Sequence, residues 1–423
     1  MDIIADIIVY IMMACALAGA IASIIKDDSE LGNQFEEGIN VIAPIFANSA
    51  GIMASIPFIS EFIEKVLGPF FRSIGADMAT SATSILATDM GGYQLADVLK
   101  DSYEGWVMAM IVGFMAGATI VFSIPLGLPI LDKRDHKYMA LGIMSGLLTI
   151  PIGAFIASAI IAFSKMDIRT TISTTADTDH VFNLSYIQIF INLLPLLIFV
   201  VILAALLRFL PNFMIRAFLV FGKVLSSAIR LVLVFSIIEI FTGIFSNTIG
   251  WWGFDPIMAD SEDQFRALEN AGNIGIMLAG AFPMVYLIRR YLSEYLNKVG
   301  EKLGLTPTGS VGMIATTANI LAMFAIVRDM PPKDKVLNIS FGVTCAFLLG
   351  DHLSYTANFQ PNLIPAVLIG KISAGLLGIA FAYWLAVPKA KELEKIDREN
   401  GVIGENEYKG EGMEDSVNPE MNA

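Results

Sequence analysis

Cysteine and histidine are scarce in this chain, with two of the first and three of the second among 423 residues. Cys15 and Cys345 stand far apart in apolar surroundings and form no CxxC pair, so neither a disulfide nor a thiol metal site is expected. His136, His180 and His352 are equally scattered, which argues against zinc. Charge is scarce too: Asp, Glu, Lys and Arg make up 16% of the residues, against roughly 25% in average soluble domains. The GxSxG, HExxH and Walker signatures are all missing, so the chain reads as neither an enzyme nor an ATP-driven pump, and no cofactor is implied. No basic patch suggests nucleic acid.

What is abundant is apolar surface, at 55% of residues. One soluble core cannot bury such an excess, because core size saturates with chain length; a bilayer can absorb it. Runs of apolar residues mark about eleven membrane-embedded segments, at 3–25, 39–59, 78–98, 105–131, 138–164, 184–207, 229–246, 268–288, 308–328, 336–353 and 362–387. The fold class is therefore all-α, a polytopic integral membrane protein of about 10–12 transmembrane helices. The first segment is no signal peptide, since Asp2 and Asp6 stand where positive charge belongs. Residues 1–390 form the transport domain, and 391–423 read as a polar, disordered cytoplasmic tail. Arg216, Lys223 and Arg230 recur seven apart. They fit either an amphipathic surface helix over 213–230 or a basic extension of the next span.

Basic residues cluster in three loops, around Lys133, Arg134 and Lys137, around Arg208 and Arg216, and around Arg289, Arg290, Lys298 and Lys302. A cytoplasmic N-terminus puts all three inside, and Asp27, Asp28 and Glu30 outside. The C-terminus is also expected inside a bacterial inner membrane. The scheme closes only if a late segment is re-entrant or broken, and the Gly- and Thr-rich 308–328 is the candidate. A weak internal repeat points the same way. Shifted by 230, Gln34-Phe35 falls on Gln264-Phe265, Asn40 on Asn270 and Asp89 on Asn319. The repeats would span 1–165 and 229–388. Transporters built from repeats bind substrate near the midplane, at broken helices.

Two polar clusters sit inside apolar sequence, where ionisable groups must face protein or water. The first is Asp89-Met90-Gly91-Gly92-Tyr93. On a helix, Asp89, Gly92 and Tyr93 share one face, and a carboxylate beside an aromatic ring suits a small organic ammonium. The paired glycines alone fit tight packing. The second runs from Gly350-Asp351-His352 through Tyr355, Asn358 and Gln360 to Pro361. On a helix, Asp351, Ser354, Tyr355 and Asn358 align, and Pro361 breaks the helix; a plain extramembrane loop is the alternative. Asn319 joins the candidates through the repeat. Lys371, inside the last apolar segment, needs a partner, and Asp351 or Asp89 could supply it in a structural ion pair. Glu239 is a weaker structural or gating charge.

Four stretches together resemble the bacterial ethanolamine-utilisation permease family: Gly32-Asn33-Gln34-Phe35-Glu36-Glu37-Gly38, Asp89-Met90-Gly91-Gly92, Thr119-Ile120-Val121-Phe122-Ser123-Ile124-Pro125, and Gly350-Asp351-His352-Leu353 through Gln360-Pro361. Gly370-Lys371-Ile372 is similar as well. The likeness covers about residues 1 to 390, and the Ser/Thr-rich 80–88 departs from it. It implies an inner-membrane permease importing ethanolamine, whose later cleavage by a cobalamin-dependent ammonia-lyase belongs to other chains. Facilitated diffusion and coupling to Na⁺ or H⁺ both stay open, and Gly-rich helix faces would permit a homodimer. Two other readings compete: an ion-coupled symporter of another small solute, and a membrane sensor or scaffold that transports nothing. The second lacks the long extramembrane domains it would need.

Overall fold

The computed structural model describes residues 2–404 and 407–408. Helices dominate; among the described residues the one sheet pairs Asp167–Ile168 with His180–Val181. Seven helices are long and apolar enough to cross a membrane singly. The chain crosses with α1 (Asp2–Ile25) and returns through α2 (Glu30–Asn40) and α3 (Ile42–Ala54). It bends by 55° into α4 (Ile56–Val66), followed by α5 (Gly68–Ile74). Two short helices, α6 (Ala79–Thr83) and α7 (Gly92–Leu99), flank an irregular stretch. The next passage joins α8 (Tyr103–Val112) to α9 (Ile124–Ile130) through π-helical Gly113–Ser123. Then come α10 (His136–Leu147) with α11 (Ile150–Ser164), α12 (Tyr186–Phe209), α13 (Pro211–Thr242) and α14 (Ala267–Lys302). The chain ends in α15 (Pro307–Ala318), α16 (Ile320–Ile326), α17 (Pro332–Cys345), α18 (Asp351–Phe359), α19 (Ile364–Leu385) and α20 (Val387–Glu399).

Polar contacts between loops define two faces. On the front, Glu104 Oε1 pairs with His180 at 3.0 Å, the Gln360 side chain bonds Arg169 N and O at 2.9 Å, and Asn362 reaches Asp167 O. On the rear, Lys335 pairs with Asp135 at 2.6 Å, and Tyr138 and Lys137 both bond Asp397. The α8–α9 passage therefore runs front to rear, and α17–α18 runs rear to front.

The segments α6–α7 and α15–α16 do not cross. Both ends of α6–α7 stay at the front, where Met78 N donates to Asp101 Oδ2 and Asp101 N to Asp77 Oδ1, each at 3.2 Å. Both ends of α15–α16 stay at the rear. Thr306 N and Oγ1 donate to Asp334 Oδ2 at 2.7 Å, and Arg328 O accepts from Tyr408 Oη. The tips meet the irregular middles of α8–α9 and α17–α18. Thr88 Oγ1 donates to Met110 O, and Phe347 N and Leu349 N donate to Thr316 O and Thr317 O. Phe347 follows the start of α17 at Pro332 by about four helical turns, roughly 20 Å at ~1.5 Å per residue, well inside a ~30 Å core. These are two re-entrant hairpins entering from opposite faces. The sequence marks 308–328 as re-entrant; 78–98 proves to be so as well.

Several expectations change. Residues 213–230 lie within the continuous helix α13, so the basic-extension alternative holds. Tyr286 Oη donates to Glu30, which puts Asp27, Asp28 and Glu30 on the rear with the end of α1. Asp2 starts that helix at the front, where α1 packs on the turn Pro361–Leu363, and α20 lies at the rear, so the first and last described helices do not begin and end on one face. The first part of the expected disordered tail is helix α20; residues 405–406 and 409–423 lie outside the described residues.

Lys335 and Asp135 are 1% exposed. Lys335→Met strands a buried carboxylate and is expected to cost about 3–5 kcal/mol. Lys298→Met breaks an exposed, solvent-screened pair with Glu294 and is expected to leave the melting temperature nearly unchanged. Thermal unfolding of both variants in detergent separates the cases, and equal melting temperatures would show that Asp135 is solvated instead.

Candidate functional site

The hairpin tip 84–91 is irregular because its sequence cannot stay helical through Gly91, whose φ is +94°. A Cβ on Gly92 would stand 2.6 Å from Ala87 O. Both glycines therefore shape the tip without needing to touch a ligand. Asp89 falls in the 3₁₀ turn Thr88–Met90, and Tyr93 in the first turn of α7. The shared helix face read from the sequence does not exist; Gly91 breaks it.

Asp351 opens α18, a helix preceded by an unwound stretch in which Phe347 takes φ +57°. A carboxylate at a helix N-terminus is favoured by the dipole. Ser354, Tyr355 and Asn358 follow on the buried helix as the spacing predicts, and a new 3₁₀ turn starts at Pro361. The plain-loop alternative is excluded. The tip turn Thr88–Met90 packs on α18, which puts Asp89 and Asp351 on neighbouring elements.

The polar atoms divide into two groups. Many are satisfied within the fold. Gln360 Nε2 donates to Tyr93 Oη at 3.0 Å, fastening α7 to the front loop. Asn358 Nδ2 donates to Asn273 O and Ser354 O, and Arg169 Nη1 caps the end of α18 at Asn358 O. Asn319 caps α16 by accepting from Leu321 N, at the tip of the second hairpin. The rest are buried and lack a partner of good geometry: Asp89 Oδ1, Gln94 Oε1, Ser354 Oγ and Tyr355 Oη, although Gln94 stands beside Tyr355. Buried polar atoms are normally paired, so this cluster is set for a ligand rich in donors. Aromatic rings line it. Tyr93 stacks on Trp106 at 4.2 Å, and Tyr355 meets Tyr93 and Phe114 edge-on at 5.9 Å.

Lys371 is fully buried in α19, but the ion pair with Asp89 or Asp351 is not formed. Its Nζ donates to Phe114 O at 2.9 Å and Ala346 O at 3.3 Å, and lies 2.7 Å from His352 Nδ1. One acceptor, Phe114 O, belongs to the π-helical middle of the α8–α9 passage, and the other, Ala346 O, to the unwound stretch between α17 and α18. Glu239 is no part of this group: it bonds Phe245 N, Ser246 N and the Ser246 hydroxyl after α13. The sequence reading misses Gln94, Asn270, Asn273 and Arg169. Asn270 Nδ2 donates to Asp89 O, and Asn270 Oδ1 accepts from Gln94 Nε2. Asn270 and Asn273, three apart in an apolar helix, are the signal that could have found that wall.

The family profile described as "Ethanolamine utilisation protein, EutH" matches residues 4–385. A probable ethanolamine permease EutH of Listeria monocytogenes is 35% identical over 402 residues, covering 94% of this chain and 99% of that protein. The Escherichia coli protein of the same name is 33% identical, covering 91% and 96%. An uncharacterized protein YxeR of Bacillus subtilis is 32% identical, covering 92% and 97%. No solved structure matches.

Proposed function

The chain belongs to the EutH family of ethanolamine utilisation proteins, and from that premise we propose that it is a permease carrying ethanolamine across a bacterial inner membrane. One observation carries the reading: Asp89 Oδ1 is buried without a partner on the tip turn that packs against α18, the helix that Asp351 opens, among buried rings and hydroxyls. Ethanolamine enters as an ammonium with one hydroxyl. The ammonium suits two carboxylates and aromatic faces; Tyr355, Ser354 and Gln94 offer partners for the rest.

The fold supports a carrier of two inverted halves, 77–164 and 306–385. Each half comprises a hairpin, a passage with an irregular middle, and a further span. The directions of the passages are opposite, and the hairpins enter from opposite faces. Such halves place the substrate between them and open it alternately to each side. The rear face carries Lys133, Arg134, Lys137, Arg208, Arg289, Arg290, Arg328, Lys333 and Lys389, and the positive-inside rule makes it cytoplasmic. The front loops hold Asp97, Asp101, Glu104, Asp255, Asp260, Glu262 and Asp263. Asp260 is held below the usual carboxylate range by the N–H groups of Asp263 and Glu262, so it stays charged. That face attracts cations.

Purified protein in proteoliposomes is expected to give saturable uptake of labelled ethanolamine, with thermal stabilisation by ethanolamine exceeding that by neutral alcohols or organic acids. Stabilisation by a non-amine alone would overturn the assignment.

A further inference from the structure

We propose that Gln94 makes the site selective for ammonium groups that carry N–H bonds, and that Asn270 is the positioning residue that keeps the Gln94 carbonyl oxygen free to accept from the ligand. The proposal rests on the permease reading and deepens it. A backbone carbonyl can only accept, and Asp89 O takes its hydrogen bond from Asn270 Nδ2 at 3.3 Å. That bond fixes which way round the Asn270 amide lies, so Oδ1 is the atom it presents to Gln94. Oδ1 accepts from Gln94 Nε2 at 3.4 Å, which fixes the second amide in turn. Turning Gln94 over would set two carbonyl oxygens against each other. Asn270 is fully buried and Gln94 is 5% exposed, so bulk water offers neither amide an alternative. Gln94 Oε1 is left without a partner.

One amide of α14 thus holds both the tip that carries Asp89 and the Gln94 side chain of α7. Asp89 Oδ1 and Gln94 Oε1 are both buried and unpartnered. An ionised carboxylate oxygen and an amide oxygen only accept. The Ser354 and Tyr355 hydroxyls, unpartnered as well, bond neither of them. The site therefore needs at least two donors from its ligand. Protonated ethanolamine brings three N–H bonds and one O–H. Choline, its N-trimethylated form, has the same charge and the same hydroxyl but that O–H as its sole donor. Choline strands at least one buried acceptor, which then bears its desolvation cost unrelieved. Charge cannot make this distinction. The rings of Tyr93, Tyr355 and Phe114 cannot make it either, since aromatic faces accept a quaternary ammonium well.

The test compares ethanolamine with choline at neutral pH, where both are monocations. Binding to the full chain in nanodiscs is read as thermal stabilisation across a concentration series. The wild type is expected to bind ethanolamine at least about tenfold more tightly. Gln94→Met keeps the length of the side chain and removes its acceptor, and should cut that preference by about fivefold or more. Asn270→Leu frees the Gln94 amide to turn and should cut it likewise. Choline shut out by size alone would stay shut out in both variants, and a purely structural role would weaken both ligands in proportion. An unchanged ratio in either folded variant therefore overturns the proposal. If only one of the two variants folds, that one decides. A wild type that binds both cations equally also overturns the proposal and leaves the permease reading standing, whereas one that binds neither sinks that reading itself.

Discussion

Asp89→Asn is expected to abolish saturable ethanolamine uptake in proteoliposomes while the protein melts close to the wild type. The substitution keeps the shape and removes the charge. At roughly 4 Å, with an effective dielectric constant of about 20, a carboxylate attracts an ammonium by about 4 kcal/mol. Losing even half of that weakens binding by more than about tenfold. Folding should be spared because Asp89 Oδ1 has no partner to lose, and the bond from Asn270 goes to the backbone carbonyl. Measured uptake with an unchanged KM would remove Asp89 from the site. The variant would then be indistinguishable from one in a loop.

Gly117→Val is expected to be nearly as damaging, by a different route. A Cβ there would stand 2.6 Å from Ala87 N, against the backbone of the first hairpin tip. Backbone cannot rotate out of the way as a side chain can, so the tip carrying Asp89 must move. Displacements of about 1 Å in a binding site commonly cost a hundredfold. Gly350→Val is its counterpart in the other half, where the added Cβ meets Ala318 O at 2.5 Å. Both variants should lose uptake and stabilisation by ethanolamine. Gly272→Ala in α14, with nothing within 4 Å of the added carbon, should be neutral or slightly stabilising, since alanine favours a helix. Loss of transport in Gly117→Val alone would argue that only the first half holds the substrate.

Much of this is legible in the chain, and the boundary has a physical cause. Hydropathy identifies the long spans because a helix crossing lipid must be apolar over about 20 residues. Hydropathy is blind to where a chain turns back. For α15–α16 the unclosed charge count already points to a segment that turns back, and the bond of Asp334 to Thr306 agrees; α6–α7 reads as a span, and only the bond of Asp101 to Met78 reveals that it returns to its own face. Counting the first as a crossing puts Asp2 on the face of the basic loops and Asp27, Asp28 and Glu30 on the opposite one, the reverse of the arrangement that the Tyr286–Glu30 bond gives. The basic loops after α9, α12 and α14 nevertheless fall on one face, because positive-inside counting needs only relative position.

The sequence by itself determined that the protein lives in a bilayer and that its motifs belong with the EutH family, and it singled out Asp89 and Asp351 as candidates, since ionisable residues rarely stand inside apolar sequence without purpose. Tertiary structure alone decided what surrounds them. Spacing along a helix placed Asp89 with Tyr93, but a left-handed glycine separates them. Charge complementarity assigned Lys371 to a carboxylate, but it bonds a carbonyl of the π-helical segment, a carbonyl of the unwound stretch after α17 and a histidine. A backbone carbonyl at a helix irregularity has no signature in the sequence, yet inside a membrane it must find a donor. That demand decides where the one buried ammonium of the site goes.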